Sequence, residues 1–196
     1  DTEIVEQLQA GRSPVSEPGL DGLLSTHSGD RLRATTSYDS VADSDVTFLA
    51  VGTPSDADGR IDLDGLAAAA EALGESLAGL DSGDRQLVVV KSTITPPGID
   101  TVRAALQRGV GDVEGRVELA TNPEFLREGS AVADFQTPDK LVFGATSERA
   151  FELLGDVYAP VVGEDVPIVE TGRREAEMIK YANNAFLAAK VSLIND

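Results

Sequence analysis

The chain has 196 residues, 41% of them hydrophobic, enough for one full domain and the start of another. Asp and Glu number 34 against 16 Lys and Arg, and the formal net charge of -18 disfavours nucleic acid and anionic membrane as partners. The chain has no cysteine, which excludes disulfides and any thiol-ligated metal within it.

Self-repulsion on this scale is relieved where the Debye length shrinks, to about 3 Å in molar salt, so a halophilic setting is the expectation. Lysine is confined to Lys91, Lys140, Lys180 and Lys190, the other cations being arginine. Thermal unfolding should move to higher temperature in molar KCl; a loss of stability there would contradict this expectation. No apolar run approaches the roughly 18 residues that span a bilayer, and the expected location is cytoplasmic.

Short helical patterns come first, around Ile4, Val5 and Leu8 and then around Leu20, Leu23 and Leu24 after Pro18-Gly19. A rhythm of apolar runs and helices follows. The run Val46 to Val51 ends at Gly52-Thr53-Pro54; a helix opens near Asp62 and reaches Leu80; Leu87 to Val90 ends at Lys91-Ser92-Thr93. The spacing then predicts a helix over Pro97 to Gln107, strands at Val117 to Ala120 and Leu141 to Phe143, a helix over Glu148 to Val157, and a strand at Ile168-Val169. Continuously apolar strands alternating with amphipathic helices imply an α/β fold, a doubly wound, mostly parallel sheet covered on both faces. Such sheets bind ligands at the carboxyl ends of their strands, where this chain carries Thr53, Thr93, Asn122 and Glu124. Each cluster alone also fits ordinary turns and caps; together they favour a site.

From Glu175 to Asp196 the chain lacks Gly and Pro and reads as one long helix. Ile179, Phe186 and Leu193 form one stripe and Leu187 and Val191 another, so burial against its own domain and against a second subunit is expected. The second stripe begins with Lys180 and Asn184, polar groups that need partners or a ligand. Glu177, one turn earlier, is a candidate partner for Lys180.

Four segments resemble the nucleotide-sugar dehydrogenase family. They are Val51-Gly52-Thr53-Pro54 with Asp62; Lys91-Ser92-Thr93 with Pro97-Gly98; the block from Asn122 to Ala131 with Asp134, Phe135, Pro138 and Asp139; and the run from Glu177 to Ala188. The resemblance covers essentially the whole chain, and Glu128-Gly129 with Pro138-Asp139-Lys140 looks most like the UDP-glucose branch. It implies a four-electron oxidation of UDP-glucose to UDP-glucuronate by NAD through a cysteine-bound intermediate, serving polysaccharide synthesis. Under it, Lys180 and Asn184 stabilise the oxyanion at C6, and Glu124 handles protons through a water that Thr93 helps hold. Thr53, Pro54, Thr93 and Glu128 contact the cofactor, and Phe125, Leu126 and Arg127 cradle the nucleotide sugar with Glu124. Glu124 and Glu128, four residues apart, also fit the first turn of a surface helix.

The resemblance further implies that the Gly-rich phosphate turn precedes Asp1 and that the cysteine nucleophile follows Asp196, so these residues alone would not turn over substrate. Residues 1–172 would then be an incomplete NAD-binding domain and 173–196 the start of a helix that joins two domains and pairs a homodimer. GDP-mannose or another UDP-sugar as substrate, and a non-catalytic assembly module, are the alternatives. A short-chain dehydrogenase is not, because none of Tyr38, Tyr158 or Tyr181 has lysine four residues on.

Overall fold

A computed structural model describes residues 1–79 and 85–195. Two short helices, α1 (Thr2–Gln9) and α2 (Leu20–His27), lead into β1 (Val46–Leu49), α3 (Asp64–Leu77), β2 (Gln86–Val90) and α4 (Gly98–Val110). Then come α5 (Val113–Arg116), β3 (Val117–Thr121), α6 (Ala131–Gln136), β4 (Leu141–Gly144), α7 (Glu148–Tyr158), β5 (Ile168–Thr171) and α8 (Arg173–Asn195). The expected helix ends at Leu80 and Asp196 lie outside the described residues.

The strands form one sheet in the order β1-β2-β3-β4-β5. β2 shows why its sequence is apolar without alternation: every residue from Gln86 to Val90 is buried, because the sheet is covered on both faces. On one face Val88, Val90 and Leu119 pack with Leu66 and Leu73 of α3 and Val102 and Leu106 of α4. On the other, Leu87, Val89, Ala120 and Phe143 pack with Leu154 and Tyr158 of α7. Each such side chain contributes roughly 1.5–3 kcal/mol through its burial.

β1, β2 and β3 run parallel, as the apolar runs imply. β4 departs from this, meeting β3 antiparallel through the single pair Thr121↔Gly144 and pairing with β5 in parallel. The reason lies in the connection. Between β3 and β4 the chain has only one short helix, α6, which does not carry it back to the start of the sheet as a parallel crossover must.

Element boundaries also move for local reasons. β1 stops at Leu49, short of Val51, because the amides of Lys91 and Ser92 both donate to the Leu49 carbonyl at 2.9 and 3.1 Å. The Ser92 hydroxyl, 2.7 Å from the Val51 carbonyl, holds the departing chain. α3 begins at Asp64 rather than Asp62, whose carboxylate instead accepts from the Asp64 amide at 2.8 Å.

Candidate active site

Three strand ends and α8 meet at the carboxyl edge of the parallel strands. The loops after β1 and β2 are tied by the Thr53 hydroxyl, which donates to the Thr93 carbonyl at 2.8 Å. Beside them, Gly52 and Pro54 are exposed, and a Cβ added at Gly52 would meet nothing within 4 Å. This leaves an open ledge with the half-buried Thr53 and Thr93 beside it.

Lys91 ends β2, and its ammonium donates to the Asn122 side-chain oxygen and the Tyr158 hydroxyl, each at 3.0 Å. Tyr158 also donates to Asn122, whose amide nitrogen donates to the Val142 carbonyl at 3.0 Å. Burial lowers the Lys91 pKa to about 8, the negative Glu124 opposing and the positive Lys180 assisting. The same burial pushes Tyr158 up to about 12. The sequence reading gave Lys91 and Tyr158 no role, although a lysine closing a wholly apolar strand has to find partners.

Residues 122–130 are not helical, so Glu124 and Glu128 are not first-turn acids of a surface helix. The segment is held from within and from outside. Arg127 clamps Asp134, Nη2 to Oδ1 2.6 Å and Nε to Oδ2 3.0 Å, and its backbone amide donates to the same carboxylate at 2.9 Å. These bonds hold the Asp134 carboxyl well below the usual carboxylate range, although their exposure limits what the pair adds to stability. From the N-terminal region, the Glu17 carboxylate accepts the amides of Gly129 at 3.0 Å and Ala131 at 2.7 Å. Gly129 has φ 82, a backbone conformation that favours glycine.

The centre of the site is an ion pair. Lys180 Nζ lies 2.8 Å from Glu124 Oε1 and also donates to the Glu124 carbonyl. Glu124 Oε2 accepts from the Leu126 amide at 2.6 Å. The lysine side chain is 6% exposed and the glutamate 29%, so the lysine is nearly dry while the carboxylate keeps a face toward solvent. The partner of Lys180 is therefore Glu124 and not Glu177. Phe125 lies between two cations, its ring centre 4.5 Å from Lys140 Nζ and 5.4 Å from Lys180 Nζ. A cavity of about 460 Å³ opens beside this group, lined by Lys91, Glu124, Phe125, Leu126, Arg127, Lys140, Tyr158 and Asn183 among others. Asn184 and Glu128 are exposed, and neither lines this cavity. The structure thus joins Thr53 with Thr93, and Lys180 with Glu124 and Phe125.

Helix α8 docks by its first turns only. The Thr121 hydroxyl donates to the Arg173 carbonyl at 3.3 Å, and Ala176, Glu177 and Lys180 are buried. Tyr181 and Asn183 are half-buried, but farther along Phe186, Leu187, Val191, Leu193 and Ile194 are exposed, so the expected burial against its own domain does not extend past the first half of the helix. Among the described residues no helix is long and apolar enough to cross a membrane.

Burial pushes the Glu177 carboxyl up to about 7, against the pull of the Ile94 amide, the Lys180 ammonium and the Thr121 hydroxyl. A raised folded pKa means that folding binds a proton. Stability should therefore fall as pH rises from the ordinary value of 4.5 to about 7 and then level. The expected loss is about 3 kcal/mol. Urea unfolding across this window should show the loss, and Glu177→Gln should abolish it; an unchanged slope in the variant would contradict the assignment.

Residues 1–162 match the NAD-binding domain model of the UDP-glucose/GDP-mannose dehydrogenase family. A UDP-glucose 6-dehydrogenase of Haloferax volcanii is 52% identical, over 100% of this chain and 46% of its own length. The solved UDP-glucose dehydrogenase of Pyrobaculum islandicum superposes with a TM-score of 0.88 at 45% identity, over 98% of this chain and 44% of that one. A GDP-mannose dehydrogenase from Pseudomonas aeruginosa, solved as a ternary complex, reaches 0.91 at 34% identity, over 100% of this chain and 44% of that one. The chain thus spans less than half the length of these relatives.

Proposed function

Because the chain belongs to the UDP-glucose/GDP-mannose dehydrogenase family and carries its NAD-binding domain, we propose that it supplies the cofactor-side half of an NAD-dependent UDP-glucose 6-dehydrogenase. The observation that carries this reading is the ion pair between Lys180 and Glu124. It joins α8 to the loop after β3 at the mouth of the cavity, with the ammonium almost excluded from water.

The ledge of Thr53, Pro54 and Thr93 would hold the cofactor, which accepts hydride when bound. An alcohol losing hydride develops negative charge on its oxygen, and Lys180 suits that charge. Two of its hydrogens go to Glu124, leaving the third for the C6 oxygen. Because Glu124 holds the ammonium in place beforehand, no side chain has to reorganise when the charge forms. Glu124 itself, partly exposed beside its lysine, is placed to orient a water and take its proton in the later hydrolysis. Phe125, Leu126 and Arg127 present the nucleotide sugar, and Asn184 and Glu128 join the site once substrate and cofactor are bound.

The preference for UDP-glucose over GDP-mannose is part of the proposal. A complete protein containing this chain, assayed with a panel of nucleotide sugars, should reduce NAD with the highest kcat/KM on UDP-glucose. A preference for GDP-mannose would change the substrate and keep the reaction; no NADH with any nucleotide sugar would sink the reading. The proposed start of a domain-joining helix at residue 173 and a homodimer through the bare apolar face of α8 belong to the same account. The isolated chain should elute as a dimer in molar salt and form no NADH, and a monomer or measurable turnover would each contradict the corresponding part. A cytoplasmic, halophilic setting and a role in polysaccharide synthesis complete the proposal; a stability that falls in molar KCl would remove the second.

A further inference from the structure

The loop from Pro123 to Gly129 carries Glu124, yet its own backbone does little to hold it. Among the described residues no amide from Glu124 to Gly129 donates to a backbone carbonyl. The amides of Leu126, Arg127 and Gly129 donate instead to the carboxylates of Glu124, Asp134 and Glu17. Pro123 has no amide hydrogen to give, so the last backbone tie before the loop is the Asn122 amide, which donates to the Val90 carbonyl at 2.9 Å. The loop hangs from side chains, and where it starts depends on how Asn122 is held.

Asn122 is 1% exposed, and three other parts of the fold fix its side chain. Its oxygen accepts from Lys91 Nζ, just past the end of β2, at 3.0 Å, and from the hydroxyl of Tyr158, the last residue of α7. Its nitrogen donates to the Val142 carbonyl of β4 at 3.0 Å. An ammonium can only donate and a carbonyl can only accept, so these neighbours permit one orientation of the amide. The bond to Val142 also adds a second tie between β3 and β4, whose backbones share the single pair Thr121↔Gly144. Tyr158 is held in turn by Phe135 and Phe143, each ring centre 5.6 Å from its own. We propose that Asn122 is a positioning residue for Glu124: the locked amide fixes where and in what direction the chain leaves β3, and so brings Glu124, two residues on, against Lys180.

What this does for turnover rests on the function proposed above; the positioning itself does not, so the two are tested separately. Asn122→Asp keeps the size of the side chain and both acceptor contacts, but as a carboxylate it sets an oxygen against the Val142 carbonyl. The chain has four lysines, so nitrogen-15 spectra of its lysine side chains can follow Lys180 singly. In the wild type its ammonium hydrogens, bonded to Glu124, should exchange slowly with water. In the folded variant they should exchange about tenfold faster or more. In the complete enzyme the kcat of the variant should fall about 10–100-fold with KM little changed, which a loss of stability alone does not produce in molecules that remain folded. The proposal is overturned if Lys180 keeps its wild-type protection in the folded variant, if kcat per folded molecule is unchanged, or if the loss is confined to KM. If the wild-type complete protein forms no NADH, the proposed function fails and the Lys180 exchange alone decides. Should Asn122→Asp fail to fold, Tyr158→Phe removes one hydroxyl from the same lock and is read in the same way. Changes of about threefold or more in both readouts then support the proposal, and wild-type exchange or wild-type kcat overturns it.

Discussion

Lys180→Met in the complete enzyme is expected to lower kcat by about 10²–10³-fold while KM changes little. Methionine preserves the length and most of the volume of the side chain, so the first turns of α8 keep their packing on β3 and β4. What is lost is the ammonium, which lies 2.8 Å from Glu124 and which the proposed mechanism sets against the oxygen that becomes negative as hydride leaves. An interaction made mainly with the transition state appears in kcat and not in KM. Lys180→Arg should not restore the rate, because a planar guanidinium cannot place one hydrogen where a tetrahedral ammonium does. A normal kcat in the Met variant would remove Lys180 from the chemistry. A loss confined to KM would make it a binding residue only.

Gly109→Val is expected to cost at least about 3 kcal/mol of folding stability, a large share of the 5–15 kcal/mol typical of a domain. Helices α3 and α4 touch backbone to backbone at a pair of glycines. A Cβ at Gly109 would lie 2.2 Å from the Glu71 carbonyl oxygen and 2.6 Å from the Glu75 nitrogen, and one at Gly74 would lie 2.6 Å from the Leu106 carbonyl oxygen. No rotamer relieves a clash with backbone, so the two helices would have to separate and open the core around Leu73 and Leu106. Gly155 of α7 is the control, since a Cβ there would meet nothing within 4 Å. Gly155→Ala should stabilise by about 0.5–1 kcal/mol through helix propensity alone. Equal urea midpoints for Gly109→Val and the wild type would show that the helices do not meet as closely as this.

The strand ends were legible because apolar runs broken by Gly-Thr-Pro, Lys-Ser-Thr and Asn-Pro-Glu mark where a buried strand leaves the sheet. The direction of β4 was not legible. An apolar run such as Leu141 to Phe143 carries no sign of the way it runs, and only the shortness of α6 fixes it. Residues of one segment could be grouped from sequence, as with the block from Asn122 to Ala131. The partners that make it a site come from far along the chain. Glu124 meets Lys180 across 56 residues, Lys91 meets Tyr158 across 67, and Glu17 holds Ala131 across 114. The nearer carboxyl, Glu177, was the natural partner for Lys180 by helical spacing. Packing decided otherwise, turning Glu177 inward and bringing Glu124 across from another element. The stripes on α8 were read correctly as apolar, yet Phe186, Val191 and Leu193 of their outer part are exposed, while Leu187 borders the cavity.

The most direct measurement is the stoichiometry of NADH formed per UDP-glucose consumed by the complete protein that contains this chain. The account predicts full four-electron oxidation, with a second NADH for each sugar and an acid as product. A single NADH with an aldehyde as product, or none, would contradict it.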